Sequence, residues 1–225
     1  MTRRAIIRRA LYFDGIDDYV RVAHSASLNP TQAISIEAWV KIKGDYQTMI
    51  RKEKVYLLEV GDQNWGNRGR YLQFGVWSAA GGLFQPLVES TVPLPINEWK
   101  HVVAVYDKVF GYIYLDGILN KRDNAVGYTG DIHFSTLPLL IAKSGSETFG
   151  GHIGEIRIYN RALSQAEILW LYNNGRGRFG TVGIPDGCVL CLDPSRWRGS
   201  GWVKDISGYG NHGQIYGATS VRCDL

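Results

Sequence analysis

Residues 34–42 alternate without a break: Ile34, Ile36, Ala38, Val40 and Ile42 are apolar, with Ser35, Glu37, Trp39 and Lys41 between them. A period of two places the apolar set on one face of a β-strand. Shorter runs at Leu11–Phe13, Tyr19–Val22, Val55–Val60, Tyr71–Trp77, His101–Tyr106, Leu139–Ala142 and Ile153–Tyr159 predict further strands. Residues 112–119 read as a hairpin, because Asp116-Gly117 between two β runs suits the positive φ angles of a tight turn. One helix is predicted. Ser164 and Glu167 form a capping box, Ile168, Leu169 and Leu171 follow, and Asn173-Asn174-Gly175 supply the stop. Many short strands and a single short helix predict an all-β, two-sheet antiparallel sandwich with the helix near the C-terminal part.

Composition agrees: 27 Gly, 13 Tyr and 7 Trp in 225 residues suit turns joined to aromatic-rich strands. The length allows one large sandwich or two small domains. The net charge is +4, much of it in a basic arm at residues 1–9 that carries Arg3, Arg4, Arg8 and Arg9. Such an arm is expected to be a solvated terminus. A pI near 8.9, with basic residues not interleaved with aromatics, does not point to nucleic acid. No apolar run approaches the ~18 residues of a membrane span, and no apolar stretch follows the arginines to make a signal peptide. For a surface-type module this leaves two expectations: a leading segment outside the given sequence, or export by another route, for example inside a virion.

Residues 175–186 are rich in Gly and Arg and read as a linker, followed by a separate piece at 187–225. Cys188 and Cys191 sit three apart in an apparent strand, which points their side chains to opposite faces and disfavours a bond or shared metal ligation. Buried free thiols are expected, with a bond from Cys223 to either left open.

Residues 10–174 resemble the laminin G-like jelly-roll modules of the concanavalin A-like lectin/glucanase superfamily. The resemblance is carried by Ala10-Leu11-Tyr12-Phe13-Asp14-Gly15, Ile36-Glu37-Ala38-Trp39-Val40, Glu98-Trp99-Lys100-His101-Val102, Tyr114-Leu115-Asp116-Gly117 and Gly154-Glu155-Ile156-Arg157-Ile158-Tyr159. It implies a two-sheet antiparallel jelly roll with Trp39 and Trp99 in its core. Modules of this kind occur in phage and archaeal-virus proteins, among others. The tail is similar to the stretch that normally precedes the Phe-Asp-Gly motif: Leu190–Asp193, then Asp205-Ile206-Ser207-Gly208-Tyr209-Gly210-Asn211-His212-Gly213. A truncated second module would leave strand edges bare, so residues 187–225 are expected to complete a sandwich, in their own chain or in a neighbouring subunit.

Catalysis is not expected. Glycoside hydrolysis needs two carboxylates flanking the bond, and the resemblance implies alternate positions on one strand. No such run is present, and Glu59 and Asp62 are three apart. Asp14, Asp17 and Asp18 cluster in one turn, where oxygen ligands suit Ca2+ and Asx hydrogen bonds are the alternative use. The resemblance implies a structural calcium near this turn with Glu155 as a partner. A sugar site needs an exposed aromatic platform beside polar groups. The candidates are Trp65, Tyr71 and Trp77, with Asn64, Asn67, Arg68 and Arg70 nearby.

Two functions stay open at this point. One is a non-catalytic binding or adhesion module for carbohydrate or protein surfaces. The other is a virion or surface-assembly component (capsid, decoration or tail) that self-associates through the C-terminal segment. Both place the protein outside the cell or on a virion.

Overall fold

A computed structural model of the chain describes residues 8–45, 47–61, 69–79, 87–125, 131–175, 183–194 and 201–223. The basic arm therefore lies outside the described residues, apart from Arg8 and Arg9. The chain runs through β1 (Arg8–Asp14), β2 (Tyr19–Val22), β3 (Ile34–Ile42), β4 (Gln47–Lys52), β5 (Tyr56–Gly61) and β6 (Tyr71–Val76). Then come β7 (Val88–Pro93), β8 (Lys100–Tyr106), β9 (Phe110–Leu115), β10 (Ile118–Asn124), β11 (Leu139–Ile141), β12 (Lys143–Ser144), β13 (Glu147–Thr148) and β14 (Gly150–Tyr159). Helix α1 (Gln165–Gly175) precedes β15 (Cys188–Leu192), β16 (Trp202–Val203), β17 (Gly213–Tyr216) and β18 (Thr219–Cys223).

Two antiparallel sheets enclose the core. The first has the order β10-β9-β8-β3-β14-β1-β18, with β15 also on β14; the second runs β16-β17-β2-β11-β4-β5-β6-β7. The turn after β1 crosses between sheets, so Leu11 and Phe13 enter the core from one side and Val20 and Val22 from the other. Residues 188–223 pair with the same chain in both sheets. β15 and β18 extend the first, on β14 and β1; β17 joins the second on β2 and carries β16.

Local signals explain the elements they predicted. Asp116 and Gly117 take φ of 51° and 79° between β9 and β10, both positive as a two-residue hairpin turn requires. Ser164 Oγ accepts the Glu167 amide at 3.3 Å, and Glu167 Oε2 accepts the Ser164 amide at 2.8 Å, closing the capping box that starts α1. Arg161 clamps Glu167 at 2.6 and 3.1 Å. That hydrogen bond, more than burial opposes it, holds the Glu167 carboxyl down to about 2.

β3 departs from its one-faced pattern, because Ser35, Glu37 and Trp39 are buried as well. Helix α1 covers the outer face of the first sheet, with Ile168 and Leu171 packed among Val103, Val105, Tyr114, Tyr159, Cys188 and Cys191. Beneath it lies a buried charge network. Arg157 donates to Glu155 (2.8 and 3.1 Å) and to Glu37 (3.5 Å), while Tyr159 Oη donates to Glu37 (3.2 Å) and His101 Nε2 lies 3.1 Å from it. Burial works to raise the Glu37 carboxyl, but Arg157, His101 and Tyr159 outweigh it and hold it below the usual range.

Cys188 and Cys191 lie in this same cluster, not on opposite faces. The register between β14 and β15 shifts between Ile158 and Tyr159; the extra residue breaks the alternation and returns Cys188 to the side of Cys191. Both thiols are free and buried, as is expected of an unreactive pair; burial pushes the Cys188 thiol up to about 12. Cys223 directs its thiol to the Val221 carbonyl at 3.8 Å. Trp39 is buried, but Trp99 is only half-buried, its ring 6.1 Å from that of His152.

No helix among the described residues is long and apolar enough to cross a membrane.

Removing Arg157 strands two buried carboxylates. Arg157→Ala is expected to cost about 3–5 kcal/mol in thermal or denaturant unfolding; a loss under about 1 kcal/mol would mean that the network does not hold β3 and β14 in register.

Candidate functional site

The second sheet has one face in the core and one turned outward. Val20, Val22, Leu139, Ile141, Ile50, Leu58 and Phe74 point into the core, so residues of the opposite parity turn to the other face; there Arg21 and Trp202 are exposed, Gln214, Leu140 and Arg51 are half-buried, and Leu57, Glu59, Gln73 and Gly75 are buried. Register partners then define one row across seven strands: Trp202, Gln214, Arg21, Leu140, Arg51, Leu57 and Gly75. Its open part, from Trp202 to Arg51, crosses five strands and is ~19 Å long at about 4.8 Å per strand. It runs across the strands, as a bound linear chain would.

Aromatic and polar groups flank the row. Tyr19 and Tyr216, partners on β2 and β17, stack with centroids 4.4 Å apart and planes 6° from parallel. Lys143 Nζ lies 4.6 Å from the Tyr19 ring centre, and Tyr216 Oη donates to Gln214 Oε1 at 2.8 Å. At the row's near end Trp202 is 49% exposed. Towards the far end, the Arg51 guanidinium sits 5.6 Å from the ring centre of Trp77.

A polar centre lies beside these. Glu59 has Thr48 and Gln73 as register partners, and Gln73 has Glu89. A left-handed Ala142 (φ 68°) turns the chain out of β11 into the β12–β13 hairpin, which packs on β4. This brings Glu147 to Thr48, whose Oγ1 donates to it at 2.8 Å; Glu59 Oε2 is 3.5 Å from the same hydroxyl. Burial first, then the charge of Glu147, push the Glu59 carboxyl up to about 7, against Arg51 and Thr48.

Of the residues expected to bind sugar, Trp65 and Asn67, with Asn64 and Arg68, lie outside the described residues. Tyr71 shares the outward parity of Gln73 and Gly75, so Tyr71 and Trp77 stand at opposite ends of β6, about 20 Å apart, with the polar centre between them. Arg70 is turned to Asp45, its Nη1 3.6 Å from the carboxylate. Sequence reasoning missed Arg21, Gln214, Tyr216 and Trp202, since nothing local to residues 202–216 tells that they lie beside β2. Glu59 carried a signal, a charge set among Leu57, Leu58 and Val60.

The acidic turn forms as expected but without Glu155. Ligand atoms of Asp14, Asp17 and Asp18 lie within 4.8 Å of one another, the first two exposed and the third buried. Asp14 Oδ1 accepts the amides of Ile16 (2.7 Å) and Asp17 (3.4 Å), and Asp18 Oδ2 accepts that of Asp14 (2.8 Å). Burial, with Asp14 and Asp17 adding like charge, raises the Asp18 carboxyl against that last hydrogen bond. Gly217 closes over the turn: at φ +74° it has no side chain, and a Cβ there would lie 1.9 Å from Asp18 Oδ1. Asp14 pairs with Gly150, whereas Glu155 is five residues further along β14, about 16 Å away, and is bound to Arg157.

The family model of the concanavalin A-like lectin/glucanases superfamily, of laminin G type, matches residues 14–169. No curated protein matches the chain. Among similar solved structures is a protein assigned as carbohydrate-binding from Bacteroides ovatus, at 22% identity and a TM-score of 0.74 over 97% of this chain and 61% of that one. This chain thus spans about three fifths of that protein's length. Domain 4 of the extracellular GH43 arabinanase AbnA from Geobacillus stearothermophilus, in complex with arabinotriose, aligns at 16% identity and TM-score 0.55, over 76% of this chain and 83% of that one. The heptameric SAP-like pentraxin of Limulus polyphemus aligns at 13% and 0.53, over 73% and 82%. At these identities the likeness is one of fold.

Proposed function

We propose that this chain, which belongs to the concanavalin A-like lectin/glucanases superfamily, is a non-catalytic carbohydrate-binding module that takes an extended glycan along the outward face of its second sheet. The observation that carries this reading is the open part of the row, from β16 to β4, with the stacked Tyr19–Tyr216 pair and exposed Trp202 beside Arg21, Gln214 and Arg51. Flat aromatic faces suit the apolar sides of sugar rings, and polar side chains between them suit ring hydroxyls. Likeness in fold to a protein assigned as carbohydrate-binding and to an arabinotriose-bound domain supports the same reading.

Hydrolysis fits less well. A glycosidic bond must lie between the two carboxylates that cleave it, and the Thr48 hydroxyl stands between Glu59 and Glu147. An assembly role by strand exchange would have residues 187–225 leave the pairing that β15, β17 and β18 make here within their own chain.

A structural Ca2+ at the acidic turn belongs to the same proposal. The donors are all carboxylate oxygens, which suit a hard cation, and the raised Asp18 carboxyl is what a cation would relieve. Asp14, Asp17 and Asp18 would hold it, keeping the crossing between sheets closed.

Trp202→Ala and Tyr216→Ala should each weaken retention on immobilised polysaccharide about tenfold or more, a loss of ~1.4 kcal/mol or more. For Trp202→Ala the melting temperature should hold. Retention equal to that of the parent would reject the face as the site. Separately, a chelator should lower the melting temperature and added Ca2+ should restore it; an unchanged melt in both would dispose of the ion.

A further inference from the structure

Helix α1 covers only part of the outer face of the first sheet. Its cover reaches Trp39, whose ring stacks on that of Tyr172 with centres 5.9 Å apart. Two residues further along β3, the same face carries another row of register partners: Thr219, Tyr12, His152 and Lys41, on β18, β1, β14 and β3. The row is about 14 Å long at about 4.8 Å per strand. Thr219 is exposed and Tyr12, His152 and Lys41 are half-buried, so the row meets solvent. Half-buried Trp99 and exposed Lys43 border it.

Its groups are mostly aromatic or cationic. The His152 ring lies 5.1 Å from that of Tyr12 and 6.1 Å from that of Trp99. Lys43 Nζ donates to Tyr12 Oη at 2.9 Å and stands 4.4 Å from the centre of its ring. An ammonium has three protons, so Lys43 keeps two to give. The charged groups that act on His152 are Lys41 and Lys43; burial first, then these two, hold the imidazole below its usual pKa. It is therefore neutral at pH 7. Its Nδ1 is buried with no hydrogen-bond partner among the described residues, which favours the proton on Nε2, where an incoming acceptor can take it.

The acids nearest in sequence are engaged elsewhere. Asp14 Oδ1 accepts the amides of Ile16 and Asp17, and Glu98 acts on Lys100, which is bound to Asp116. Two ammonium groups thus face one neutral imidazole, and no described carboxylate balances them. A carboxylate or a sulfate ester brings one negative charge and would cancel half of this excess. A phosphate monoester brings about −1.5 to −2 at pH 7, on three acceptor oxygens.

We propose that this row is a second binding site, for the phosphate monoester of a sugar. Lys41, Lys43 and His152 Nε2 take the phosphate oxygens, and the Trp99 and Tyr12 rings border the sugar. The site lies on the opposite side of the sandwich from the glycan-binding face and does not depend on that reading.

The test follows the histidine ring resonances of the full chain by NMR at pH 7. Glucose 6-phosphate, glucose 6-sulfate, glucuronate, glucose and inorganic phosphate are each added in turn. Glucose 6-phosphate should shift the His152 ring with a dissociation constant of about 1 mM or tighter. It should also raise the titration midpoint of His152, since a bound dianion favours the imidazolium. The singly charged sugars should bind about tenfold more weakly, and glucose should leave the ring unmoved. Lys41→Gln should weaken glucose 6-phosphate about tenfold or more, with the melting temperature unchanged. No saturable shift of His152 would overturn the site. Equal binding of glucuronate or of the sulfate would overturn the phosphate, and equal binding of inorganic phosphate would overturn the sugar. Unchanged affinity in Lys41→Gln would overturn the placement. Should that variant fail to fold, the parent decides: a shift led by His152 supports the site, and shifts at His24, His133 or His212 with His152 unmoved overturn it.

Discussion

An antiparallel strand that pairs on one side only leaves a row of amide and carbonyl groups open to solvent or to other chains. β1 and β2 would both be such strands, because β1 has β14 on one side and β2 has β11. They flank the acidic turn where the chain crosses between sheets, so the sandwich would be open on both layers at one corner. Residues 188–223 close it, β18 covering β1 and β17 covering β2. Gly217, between those two strands, seats its bare backbone against Asp18. The site inherits this closure, since Trp202, Gln214 and Tyr216 reach the outward face only through the pairing on β2.

On the other layer the same segment is held by charge. β15 enters beside β14, Cys191 opposite Arg157, and Cys191 Sγ donates to Glu155 Oε1 at 3.3 Å. Arg157 joins Glu37 of β3 to Glu155 of β14 under the cover of α1. A buried triad of this kind adds little net energy over an apolar filling. What it does fix is which residues meet, because a slip in register would leave an ion unpaired.

How much of this could be read from the chain depends on the range of each signal. The alternation of β3, the Asp116-Gly117 turn and the Ser164–Glu167 box act over a few residues, and all three are in place. Glu37 was legible as a strand residue but not as a buried one, since its partners lie on β8 and β14. Bulges defeat counting by twos: the shift at Ile158/Tyr159 returns Cys188 to the face of Cys191. Glu155 was drawn to calcium by its motif, yet it faces Arg157, two residues on and on the same side of β14. The outward face was the least legible. Tyr19 and Tyr216 lie nearly 200 residues apart in the sequence, and no local pattern announces that they stack.

The account turns on whether residues 213–216 pair with β2 of their own chain. Tyr19 and Tyr216 are opposed in that ladder, where Cα atoms stand about 4.5–5.5 Å apart, close enough for a disulfide. The most direct measurement is mild oxidation of Tyr19→Cys/Tyr216→Cys, made with Cys223→Ser, followed by non-reducing electrophoresis and peptide mapping. An intrachain bond between positions 19 and 216, in a species that migrates as one chain, is the predicted result. A disulfide-linked dimer through those positions, or no bond between them, would contradict it.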